Sequence, residues 1–103
     1  MVILQTAKHH QSATEWNIHV IEARNADLEE DIIQCIEASD ELVSPPKEAA
    51  LFKFTDELLK TSRVCDGTYW NMQKEFSDRH IVEAVGIVGY YSFVAHTLNV
   101  FEI

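Results

Sequence analysis

Ser77-Asp78-Arg79-His80-Ile81-Val82-Glu83-Ala84-Val85-Gly86-Ile87-Val88-Gly89-Tyr90-Tyr91-Ser92-Phe93-Val94-Ala95-His96-Thr97-Leu98 is the stretch on which the fold turns. Ser77 is an N-cap residue, and the run from Ile81 to Ala95 is apolar nearly all round. A helix with no wholly polar face belongs at the buried centre of a domain, so this helix is expected to be the most buried element. Gly86 and Gly89 cost such a helix about 1 kcal/mol each relative to Ala, which implies that another backbone comes close there. The longest apolar stretch, Ala84 to Ala95, is broken by Ser92 and preceded by Glu83. That is short of the roughly 20 apolar residues that cross a bilayer.

Working back from this helix, three preceding segments open on a cap residue. Asp66 opens a fifth helix that carries Tyr69, Trp70, Met72 and Phe76. Ser44, with Pro45 and Pro46 at the first positions where a missing N–H is harmless, opens a fourth that carries Phe52, Phe54, Leu58 and Leu59. Thr61 to Cys65 connects the two. Asp27 and Glu30 have capping-box spacing ahead of Leu28, Ile32, Cys35 and Ile36, and Ser39 to Ser44 is a loop. Ser12 to Asn25 gives a stripe of Ala13, Trp16, Val20 and Ala23 at helical spacing. Residues 2–8 have apolar positions three and four apart but no cap, which raises the expectation of a missing N-terminal segment. The prediction is an all-α bundle of five or six helices, residues 1–103 forming one domain, with a buried C-terminal helix.

Composition agrees. The chain has 103 residues, hydrophobic 47% and charged 24%, enough to bury one core. It has 3 Gly and 2 Pro, too few for the turns that a sandwich or barrel needs. The net charge of -9 argues against nucleic acid and anionic membrane as partners. Between Glu22 and Glu41 one base, Arg24, faces eight acids (Glu22, Asp27, Glu29, Glu30, Asp31, Glu37, Asp40, Glu41), read as a solvated face. Cys35 and Cys65 form no CxxC pair and no zinc spacing. With no secretory signal, they read as reduced thiols, and a cytoplasmic location is expected.

The residues able to carry chemistry are few. Ser12, Glu15 and His19 fall within roughly 60° on the helical wheel, at the edge of the apolar stripe. Glu15 and His19 are an i, i+4 pair, in which a carboxylate can fix the imidazole tautomer and leave the other nitrogen to move a proton. The plainer reading is surface decoration, common for such pairs. Glu83 and Tyr90 are seven apart on one face of the last helix. Glu83 either pairs with a buried arginine, caps a neighbouring helix terminus or lines a pocket. His9 and His10 are adjacent, so on a helix they point about 100° apart and cannot chelate together. His80 and His96 have no partner at ligand spacing. No metal or cofactor is expected.

Read in succession, the segments resemble the carboxymuconolactone decarboxylase family, part of the alkylhydroperoxidase D-like superfamily. Glu15-Trp16-x-x-His19 with Ala23 and Leu28…Glu30…Ile32 is similar to its E-W-x-x-H…A…G-L-…-E-I stretch. Phe54-Thr55-Asp56-Glu57-Leu58, Val64-x-Asp66-x-Thr68-Tyr69-Trp70, and Phe76-x-Asp78…Val82-Glu83…Gly89-Tyr90-Tyr91 resemble its later motifs, in order. The resemblance covers nearly the whole chain. It implies an all-α fold that assembles as trimers or hexamers. It also implies a cofactor-free lyase or isomerase acting on a small carboxylic acid or lactone, with His19 as proton donor held by Glu15 and with Ser12, Trp16, Glu83 and Tyr90 around the substrate.

The chain departs from the family at three places. The peroxidase branch has C-x-x-C-x-x-x-H, and its cysteine positions fall on Ser12 and Glu15, so a thiol-dependent peroxidase is the weakest expectation. The family usually has a glutamate just before the run that matches Val2-Ile3-Leu4, and this sequence begins at that point. Asn25-Ala26-Asp27 replaces a glycine turn. The substrate carboxylate wants a cation, and the arginines are Arg24, Arg63 and Arg79. The alternative, from another class, is a non-catalytic oligomeric scaffold that keeps the fold. The aromatic content predicts a homo-oligomer built on dimers or trimers.

Overall fold

The computed structural model describes residues 1–103. It is all-helical, without a strand. The helices are α1 (Val2–His9), α2 (Ala13–Asn25), α3 (Glu30–Ala38), α4 (Pro46–Thr61), α5 (Asp66–Glu75) and α6 (Asp78–Val100). Local chemistry sets three element starts. The Ser12 hydroxyl caps α2 by accepting from Glu15 N at 3.3 Å, and Ser77 caps α6 by accepting from His80 N at 3.3 Å. Pro46 sits at the first turn of α4.

Other boundaries differ from the sequence reading. Asp27 is not the cap of α3. It has φ 64, the left-handed conformation, and the cap position is Glu29. Aspartate tolerates that region better than most residues, so Asp27 performs the turn for which a glycine is the usual choice. Pro45 rather than Ser44 precedes α4, and Cys65 rather than Asp66 precedes α5.

Two apolar clusters hold the helices. Leu4, Val20, Ile32, Ile33, Ile36, Leu42 and Phe52 form the first, with Trp16 and Cys35 packed against it. Phe54, Met72, Ile81 and Ala84 form the second. Phe52 and Phe54 are both buried on α4, two residues and therefore about 200° apart on the helix, so α4 gives one phenyl ring to each cluster. Gln5 fastens α1 to α4 by donating Nε2–H to the Phe52 carbonyl at 3.0 Å.

The long α6 is partly buried rather than the most buried element. Ile81, Ala84, Val88 and Ala95 point inward, and α6 packs along α1. Val82, Val85, Tyr90, Phe93 and Val100 stay exposed. It is α1 that buries most of its length, with Val2, Leu4, Gln5, Thr6 and Ala7 all buried. The expected close approach at Gly86 and Gly89 is also missing within the chain, because no atom lies within 4 Å of where a Cβ would sit at either. At 23 residues, with mean hydropathy 1.4 over its best window, α6 does have the length and composition of a membrane span, unlike the shorter segment counted from sequence. One of its faces is nevertheless packed against the rest of the protein.

Candidate functional site

Helix α2 presents the expected trio. Ser12 and Glu15 are buried, at 3% and 7% exposure, and His19 is half-buried. A surface pair would not place its carboxylate out of water, so Glu15 is more than decoration. Glu15 Oε2 lies 2.9 Å from His19 Nε2. The contact is off the line of the ring N–H, and Oε2 is left with no aligned hydrogen bond. On the other side of the ring, Nδ1 meets Oε2 of exposed Glu22 at 2.9 Å, with hydrogen-bond alignment. Tyr91 of α6 covers the imidazole edge-on, ring centroids 5.2 Å apart. His19 thus stands between a buried carboxylate and a solvent-facing one.

The remaining expected residues separate. Trp16 and Ser12 line an open cleft of about 820 Å³ between α1, α2, α3 and α4, and neither Glu15 nor His19 reaches it. Glu83 is neither in a pocket nor paired with a buried arginine: it accepts from exposed Arg79 Nε at 3.1 Å, one turn away on the same helix. Tyr90 is 60% exposed, with its ring against Tyr91 at 5.1 Å. Glu83 and Tyr90 therefore do not wall a pocket around His19 within one chain. The α6 helix buries the opposite face, and a residue seven positions from another shares its exposure.

The cations fall elsewhere than expected. Arg24 is held by Glu30 at 2.8 and 3.1 Å, and that pairing raises the Arg24 pKa and lowers the Glu30 pKa. Lys8, Lys53 and Lys60 line the cleft instead. The arginine count overlooked them because lysines are less specific for carboxylates.

Two further groupings escaped the sequence reading. His10 Nε2 meets Ser92 Oγ at 2.9 Å, and the His10 ring sits edge-on to both His9 (4.9 Å) and His96 (4.5 Å). Burial, then the neighbouring His9 and His96, lowers the His10 pKa. These contacts join the end of α1 to α6, 82 and 86 positions on, which local spacing cannot reveal. Glu57 of α4 accepts from the Thr68 hydroxyl and from Cys65 N at 2.9 Å, which lowers its pKa, the Thr68 bond being the larger cause. Both cysteines are free, Cys65 exposed and Cys35 half-buried. No three His, Cys, Asp or Glu side chains gather as metal ligands.

What fold and site define is a six-helix all-α protein with a carboxylate–imidazole–carboxylate array on its second helix. Set against the models of known protein families, the curated proteins and the solved structures, the chain matches none. The family resemblance therefore stands on the residues named above.

Proposed function

We propose that the protein is a carboxymuconolactone decarboxylase-like lyase or isomerase that moves a proton on a small carboxylic acid or lactone through Glu15 and His19. The observation that carries the reading is the buried carboxylate of Glu15, 2.9 Å from the imidazole and lacking an aligned hydrogen bond. Decarboxylation or a double-bond shift leaves negative charge on carbon, which a nearby acid must quench. His19 is that acid, and Glu22 at Nδ1 connects it to solvent for reprotonation. No cofactor is called for. The six-helix architecture and the order of the motifs support the family assignment.

The test is proton exchange. Candidate lactone acids are incubated in D₂O with the protein, and deuterium incorporation beside the carboxylate is followed by NMR, together with CO₂ release. His19→Ala is expected to remove the activity, and a general acid is worth about 10²–10⁴ in rate. Glu15→Gln is expected to weaken it. Exchange that is unchanged in His19→Ala refutes the assignment. A scaffold is the second reading. It is favoured by the two carboxylates that already occupy both nitrogens of His19 and by the exposure of Glu83 and Tyr90.

A further inference from the structure

The outer face of α6 is unpartnered, and its residues are arranged to fit a copy of themselves. Val82, Gly86, Gly89, Phe93, His96 and Val100 recur at spacings of four, three, four, three and four, the seam of a helix pair. All six are exposed, on the side of the helix roughly opposite buried Ala84, Val88 and Ala95. The two glycines lie at the middle of the seam, where no atom of the same chain explains them. Helices tolerate such residues where a second backbone must come close.

We propose that the outer face of α6 is an isologous interface that binds a second copy of this chain, the two α6 helices running antiparallel about a two-fold axis between Gly86 and Gly89. In that order Gly86 of one copy meets Gly89 of the other, and Val82 meets Phe93. Val85 meets Tyr90. Each pair is generated twice, as a two-fold interface requires. Backbones approach at the centre, and the larger side chains close over them at both ends.

Charge and area choose the occupant. The chain carries a net charge of -9, so two copies repel over most of their surfaces. Between Glu83 and Glu102 there is no Asp, Glu, Lys or Arg, which makes this the face where the repulsion is least. Val82, Val85, Tyr90 and Phe93 together expose roughly 500 Å² per chain, the larger part of the ~800 Å² per partner of a standard interface. The accessible surface is 6512 Å² for 11.8 kDa, whereas a monomer of that mass shows about 5,900 Å². The excess is of the size of the seam. This inference goes beyond the proton-transfer reading and does not depend on it.

Light scattering at micromolar concentration tests the proposal. The wild type is expected at a mass of two chains or an even multiple. Phe93→Asp, a change at an exposed position that leaves both clusters intact, is expected to halve that mass while the helical circular dichroism is kept. Gly86→Ala with Gly89→Ala is expected to raise the helix content of the separated chain and weaken the pairing. Cross-linking fixes the order of the helices in a Cys35→Ser, Cys65→Ser background. Val82→Cys mixed with Phe93→Cys is expected to give the mixed disulfide, and Val82→Cys alone none. A one-chain mass for the wild type overturns the proposal, as does a mass unmoved by Phe93→Asp or a homodisulfide through Val82→Cys. Sedimentation with phosphatidylcholine vesicles that Phe93→Asp abolishes assigns the face to a bilayer and overturns it too.

Discussion

Removing the Glu57 carboxylate tests how the second half of the chain is fastened. Glu57 reaches from α4 to the start of α5, where it accepts from Cys65 N at 2.9 Å and from the Thr68 hydroxyl. No residue of α5 itself caps that helix, since the Cys65 thiol at the cap position meets the Thr68 hydroxyl at 3.2 Å and makes no capping bond to a backbone N–H. Glu57 therefore does from another helix what the carboxylate of a capping box does from within, accepting from the N–H of the cap residue. Loss of such a cap costs about 0.5–2 kcal/mol. Glu57 is only half-buried, so water makes good part of the loss, and Glu57→Ala is expected to cost about 1 kcal/mol. For a domain of this size that is a fall in Tm of about 4–8 °C. The carboxylate pKa is lowered in the fold, so its stabilisation is present above the unfolded value and lost as pH falls through the folded one. Thermal melts of wild type and Glu57→Ala at one protein concentration should differ at pH 7 and converge as the pH drops below the ordinary carboxylate range. A gap that persists in acid, or no gap at neutral pH, refutes the capping argument.

Other perturbations have equally definite outcomes. Ile33, fully enclosed in the first cluster, should lose about 2–5 kcal/mol on replacement by alanine, read from urea unfolding. Lowered by burial and by His9 and His96, the His10 pKa lies below its unfolded value. The unfolded chain then takes up the proton first, and stability drains away as pH falls through the ordinary histidine range. Comparison of His10→Gln with wild type at pH 7.5 and 5 should show a smaller loss in the variant. Cys65 is exposed and Cys35 half-buried, so a thiol reagent should label Cys65 fast and Cys35 slowly. With no resolving thiol beside either, peroxide turnover with dithiol reductants should be absent.

Helix order, the caps at Ser12 and Ser77 and the inward faces of α3 and α4 could be read from local rules, because each depends on residues within a turn or two of each other. The Glu15–His19 contact was legible for the same reason, at spacing i, i+4. Glu22 beside His19 was available at i, i+3 and was passed over. Tyr91 over His19 and His96 against His10 were not legible, since they depend on how α6 lies across α1 and α2. The apolar surface of α6 misled in a definite way. Hydrophobicity on every side says that a helix is covered, without saying by which molecule. Asp27 misled differently. An aspartate ahead of a helix reads as a cap, and here its tolerance of positive φ was used to end α2.

The placement of Phe52 and Phe54 on opposite sides of α4 has a consequence for how the protein comes apart. Two small cores share one helical wall, and neither is large enough to stand without it. Loosening the cluster around Ile33 releases one side of α4 and thereby weakens the hold of Phe54 on Met72. The two halves are thus expected to melt in a single step, with α4 acting as the mechanical linkage between them. Amide protons along its middle should be the last to exchange with solvent.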